Sequence, residues 1–294
     1  ITFTSEFAMS YFCQSYTRIY GDVTITGEVT NVDGLSCLNE IHGDLTITSS
    51  DLLNLDGLTS LTYLSAQLII SHNEFLVNID GLAGLTQTGT DLFIRGNNSL
   101  LHLDGLTNIV SVGRGLEVTY NSILNNVDGL NNLIDVAGSV NISNNLGLID
   151  ITLNQLNTIG DYLSITNNME LSNITGFGNL VTVAGVFIEQ NFANVKGEIS
   201  GFNSLQDLDL LYLYSNESFI EISGFTALET VLGDVYIFQD ESLEVLSGLT
   251  SLNSILNDFY IQNNSQLPQV QVNNLLNSIG TQNIGGLIST CCNN

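Results

Sequence analysis

The chain has 294 residues, 44% hydrophobic and only 12% charged, so it can bury a large core while covering its surface mostly with uncharged polar side chains. Four bases, Arg18, Arg95, Arg114 and Lys196, stand against 30 carboxylates, a formal charge of -26. Such a surface repels phosphate, which excludes nucleic acid and anionic membrane as partners, and no apolar run approaches the roughly 20 residues of a membrane span.

The chain starts on Ile1, with no initial Met or leader, as a processed or excised mature region would. Residues 1–19 lie outside the pattern that follows and form an expected N-terminal cap. Thr4 or Ser5 can N-cap a short helix through EFAMSYFCQSY, on which Phe7, Tyr11 and Phe12 would share a face and cover the open end of a core. Cys13 falls in that helix and Cys37 in the first repeat's turn, without metal-ligand spacing. A Cys13–Cys37 bridge would fasten the cap to the repeats and imply an oxidising compartment; the alternative is two buried free thiols.

From Tyr20 one aliphatic marks each strand: Ile25, Ile47, Ile70, Ile94, Val118, Ile142, Ile165, Ile188, Leu213, Ile237 and Ile261. Their spacings lie between 22 and 25 residues, and the residue two before each marker is apolar as well. Alternate side chains therefore turn inward, and stacked units bury what a single unit cannot. The expected fold is a β-solenoid, a parallel β-helix of about eleven rungs of about 24 residues, with residues 20–267 as the repeat region of one continuous domain.

An Asn lies three residues past most markers: Asn73, Asn97, Asn121, Asn145, Asn168, Asn191, Asn216 and Asn264, with Asp240 in the same place. Stacked in register, these side chains can satisfy backbone groups inside a tight turn, an asparagine ladder. Further along each rung stand Asp33, Asp56, Asp80, Asp104 and Asp128, then Thr152, Thr175, Ser200, Ser223 and Ser247. Stacked carboxylates invite a calcium site, but Asp, Thr and Ser are the N-cap residues, so the preferred expectation is a capped helical turn at every rung. Residues 268–294 keep Val272, Leu275 and Ile279 at helical spacing and end in GGLISTCCNN, a last rung and closing cap. Cys291 and Cys292 could bridge each other, pair with another chain or remain free.

Leu92-x-Ile94-x-x-Asn97-x-x-Leu100 followed by Gly-Leu-x-x-Leu is a variant leucine-rich repeat and resembles the receptor L-domain family. TFTSEF, YGDVTITG and NVDGLSCL are similar to the start of secreted L-domain-like proteins of cell surfaces, and the likeness extends over about residues 1–280. The resemblance implies a right-handed, leucine-rich-repeat-like solenoid with a flat parallel sheet used for ligand binding or adhesion, at an extracellular or cell-surface location.

No nucleophile elbow, phosphate loop or dinucleotide fingerprint occurs. His42, His72 and His102 have no ligand partners at suitable spacing, and no cofactor or metal site is expected. Among outward strand positions only Glu117 and Glu189 are acidic, three rungs or about 14 Å apart by strand spacing, too far for a glycosidase pair. The expected protein is therefore not an enzyme. The outward column passes through Phe93 and Arg95, then Phe187, Glu189, Tyr212, Tyr214, Tyr236, Phe238 and Tyr260. Aromatics on an exposed sheet mark an interface more often than not, with cross-strand stacking as the alternative. The expected function is recognition or adhesion toward glycan or protein, or else self-association as a subunit of a surface layer or filament.

Overall fold

Alternation of apolar and polar residues makes each repeat a short strand whose aliphatics face inward, and the computed structural model, which describes residues 1–294, is a parallel β-solenoid of about eleven such turns. The turns are shared between two compact units, Ile1–Gly147 and Leu148–Asn294. In the first unit the main sheet runs β1 (Thr2–Phe3), β2 (Val23–Gly27), β3 (Leu45–Ser50), β4 (Leu68–Ser71), β5 (Leu92–Arg95), β6 (Leu116–Thr119) and β7 (Val140–Ser143), each parallel to the one before. In the second it runs β8 (Tyr162–Thr166), β9 (Gly185–Glu189), β10 (Leu210–Tyr214), β11 (Val235–Phe238), β12 (Phe259–Gln262) and β13 (Ile288–Ser289). All eleven markers are buried at 1% exposure or less, so the core lies directly behind the strands.

The asparagine column forms within each unit. The side-chain carbonyl of Asn97 accepts both the backbone N–H and the amide of Asn73 at 3.1 Å, while the Asn73 amide also donates to the Ile47 carbonyl at 3.0 Å. Asn97, Asn121 and Asn145 repeat this pattern, as do Asn191 and Asn216 in the second unit. The residue before each ladder position is left-handed, for example His72 (φ 56°), Tyr120 (φ 58°) and Gln239 (φ 57°). Only Gly96 relieves the side-chain strain there. The ladder bonds offset that strain rung by rung.

The helical-turn expectation needs two corrections. First, in rungs one to five Asp33, Asp56, Asp80, Asp104 and Asp128 begin 3₁₀ turns but do not cap them; the cap position is the preceding aliphatic, with no side-chain cap. Asn31, Asn54, Asn78 and Asn126, each two residues earlier, accept the Asp N–H at 3.0–3.2 Å, an Asx turn. The motif is thus Asn-x-Asp-Gly-Leu, and its glycine is compelled by close stacking: a Cβ on Gly105 would lie 1.9 Å from the Ile79 carbonyl oxygen.

Second, Thr152, Thr175, Ser200 and Ser223 start no helical turn. This side of the second unit is a parallel sheet of Asp150–Ile151, Asn173–Ile174, Gly197–Ile199, Phe219–Ile222 and Val245–Leu246. Phe177, Phe202 and Phe225 replace the leucine, adopt left-handed φ of 61–65°, and stack inside the core at 4.9 and 4.6 Å with planes within 7°. The larger ring changes the turn. At Ser247 a leucine returns and so does a 3₁₀ turn, Leu249–Ser251.

The N-terminal cap is shorter than expected: α1 covers only Glu6–Met9, followed by a 3₁₀ turn, Phe12–Gln14. Phe12 is buried, but Phe7 and Tyr11 are 75% and 60% exposed, and Phe3 and Met9 take their place against the core. Ser5 makes no cap bond; Glu6 instead accepts the N–H and hydroxyl of Thr30, which holds its carboxyl down to about 2. Cys13 and Cys37 are disulfide-bonded, with Cα atoms 5.5 Å apart. At the other end α2 (Gln269–Ile279) buries Val272, Leu275 and Ile279. The tail then adds a partial rung, with β13 paired to β12 and Asn293 taking the next ladder place against Asn264.

Candidate functional site

Strict register places the outward aromatics of the second unit in two columns. Phe187, Tyr212, Tyr236 and Tyr260 follow one another on β9 to β12; beside them run Glu189, Tyr214, Phe238 and Gln262. All are half-buried. Tyr236 and Tyr260 stack at 4.9 Å and 5°, and Tyr214 and Phe238 at 5.9 Å and 9°, whereas Tyr212 is tilted by 42° to Phe187 and 57° to Tyr236. Between the columns lies an open concavity of about 460 Å³ lined by Tyr212, Tyr236, Phe238, Tyr260 and Gln262.

The electrostatics of the patch are one-sided. Burial raises the Glu189 carboxyl. Burial and then the Glu189 charge raise the Tyr212 phenol, and burial followed by the charges of Asp234 and Asp258 raises that of Tyr236. Both phenols therefore stay protonated at neutral pH and can donate as well as accept hydrogen bonds. Lys196 is the sole base among residues 148–294, and its ammonium is held by the Glu217 carbonyl and the Ser242 hydroxyl.

Two of the nine predicted residues belong to the first unit. The Arg95 guanidinium lies 4.0 Å from the centre of the Phe93 ring and pairs with Glu117 on the next strand, although its buried Nε has no partner. Thr119 adds a hydroxyl to Glu117 at 3.1 Å.

Three members of the patch were missed from sequence. Tyr162 makes an edge contact with Phe187 at 5.6 Å, and Gln262 donates its amide to Ser289, which pairs with Tyr260. Tyr162 lies two residues before the outward Ser164, so strand parity alone points to it; Gln262 has the same parity but is not aromatic. Of the histidines, His42 stacks on Tyr20 at 4.6 Å and bonds Glu40, and His102 lies 3.3 Å from Asp104. No cluster of three or more His, Cys, Asp or Glu could hold a metal ion. Cys291 and Cys292 are exposed free thiols with sulfurs 2.9 Å apart.

The geometry defines a class, a parallel β-solenoid carrying an exposed aromatic field on its main sheet. No protein-family model and no curated protein sequence matches the chain.

Proposed function

We propose that this is a non-enzymatic recognition or adhesion module of the receptor L-domain kind, acting outside the cell and binding protein or glycan through the aromatic part of its sheet. The observation that carries the reading is the contiguous field of half-exposed rings from Phe187 to Tyr260, four of which line an open concavity. Leaving so much ring surface half-exposed has a cost in water, about 25 cal/mol per Å² of apolar area, that a partner would remove. The Cys13–Cys37 bridge supports an oxidising location.

The test replaces Tyr212, Tyr214 and Tyr236 together by Ser. Binding on a glycan array and in a pull-down with cell-surface protein should be lost while far-UV circular dichroism is unchanged; binding retained by the folded variant overturns the reading. A second reading, a layer or filament subunit, draws on the exposed Cys291 and Cys292, which follow Ser289 on the rung beyond Tyr260. It predicts particles that shrink on adding reductant, and it must overcome the repulsion between copies of charge -26.

A further inference from the structure

We propose that the concavity takes an extended cationic protein segment, whose lysine or arginine side chains meet Glu189, Asp234 and Asp258 while its backbone and apolar side chains lie along the rings. This rests on the recognition reading above and narrows it to one class of ligand.

Ring geometry is the first ground. Tyr236 with Tyr260, and Tyr214 with Phe238, are stacked almost parallel, so each of these rings gives one face to its neighbour. A sugar ring packs on an open aromatic face, of which the two stacked pairs leave fewer; a peptide can use ring edges for its side chains and the tyrosine hydroxyls for its backbone.

Charge is the second ground. Glu189 acts on the Tyr212 hydroxyl and the two aspartates on that of Tyr236, and the unit's one base, Lys196, is held by the Glu217 carbonyl and the Ser242 hydroxyl. A neutral glycan makes no use of these acids, and an anionic partner or a second copy would be repelled.

The molecule also carries a worked example. On the first unit's sheet the Arg95 guanidinium lies over Phe93 and pairs with Glu117 from the next strand. Phe187 and Glu189 occupy the same two outward positions of their own strand, with a carboxylate where the first unit has its arginine. Ring and acid are present and the cation is missing. A partner's Arg or Lys would complete the set, with cation–π attraction added to the ion pair.

The experiment uses the full chain and three labelled probes: an alternating lysine–valine octapeptide, its glutamate–valine counterpart, and cellohexaose. The lysine peptide should bind, and its affinity should fall about tenfold between about 0.05 and 0.3 M salt. It should fall similarly in Tyr212→Ser/Tyr236→Ser/Tyr260→Ser and in Glu189→Gln/Asp234→Asn/Asp258→Asn. Asparagine keeps the side-chain oxygens that accept the N–H groups of Asp258 and Leu287, so the second variant retains its fold. Binding of cellohexaose or the glutamate peptide that is tighter than that of the lysine peptide and is lost in the ring variant overturns the cationic assignment while the recognition reading stands. If no probe's binding responds to the ring variant, both fall.

Discussion

Asp240 is the one acid among the asparagines of its column. Its Oδ1 accepts the Asn216 N–H at 2.7 Å and the Asn216 amide at 3.0 Å, as an asparagine would, but its buried Oδ2 has no partner. The neighbouring ladder amides, of Asn216 and Asn264, donate to the carbonyls of Ile188 and Ile237. The equivalent carbonyl for Asp240 is that of Leu213, to which an ionised carboxylate can donate nothing. A cavity of about 10 Å³ lies alongside, lined by Leu213, Asn216 and Asp240. Burial pushes the Asp240 carboxyl up to about 7, against the lowering pull of the Asn216 donors. The folded value lies above the unfolded one of about 3.9, so the folded state holds the proton more tightly. The stabilisation is full below about pH 4, declines as pH rises and is gone above about pH 7. Asp240→Asn supplies the missing donor at every pH. It should stabilise the protein by roughly 2–4 kcal/mol at pH 8 and remove the part of the stability slope that lies between pH 4 and 7. Denaturant melts of both proteins across that range check this, and parallel pH profiles would refute it.

At the scale of elements, the strand face was legible because its period of two is enforced from both sides, by core within and solvent without. Ile94, Val118 and Ile188 fall where alternation puts them, and the ladder follows because Asn97 and its relatives keep a fixed distance from the marker. The third edge was misread because Thr175-Gly176-Phe177 looks like a conservative version of Asp80-Gly81-Leu82. Yet a phenylalanine cannot fill a leucine's space, and the turn yields to the ring. The resulting stack of Phe177, Phe202 and Phe225 is fully buried. Phe202, the middle ring, touches both others, so Phe202→Ala should cost about 3–5 kcal/mol and lower the melting temperature by several degrees. Exposed Phe7→Ala should cost under about 0.5 kcal/mol. Comparable effects from the two substitutions would contradict this account. The cap was misread for the opposite reason: four helical residues are too few for periodicity to select a face, and the bond from Thr30 to Glu6 comes from a segment 24 residues away.

For the whole molecule the dominant quantity is a charge of -26. Like charges spread over a folded chain repel more strongly than over an expanded one, so salt should raise the melting temperature from about 0.01 to about 0.5 M as the Debye length shrinks. The same screening should weaken the cationic probe described above. Stability and binding thus respond to one variable in opposite senses, and a melting temperature that falls over this range would show that net repulsion is not the governing term. The aromatic field was visible in the sequence as the run of rings at outward positions from Phe187 to Tyr260. What sequence did not show was how its rings use each other's faces, since stacking at 4.9 Å depends on side-chain tilt rather than on residue identity.

The columns of asparagine amides and left-handed residues have an evolutionary corollary. The side-chain oxygens of a column accept from residues 23 to 25 positions earlier, and the amides donate to carbonyls 26 to 28 positions earlier. Deleting one amino acid inside a strand would unseat a member of each column in turn. Removing or duplicating one complete coil would return every amide to an equivalent acceptor. Within either unit, then, this architecture tolerates gene-level editing in modular steps of one coil and penalises the smaller steps in between.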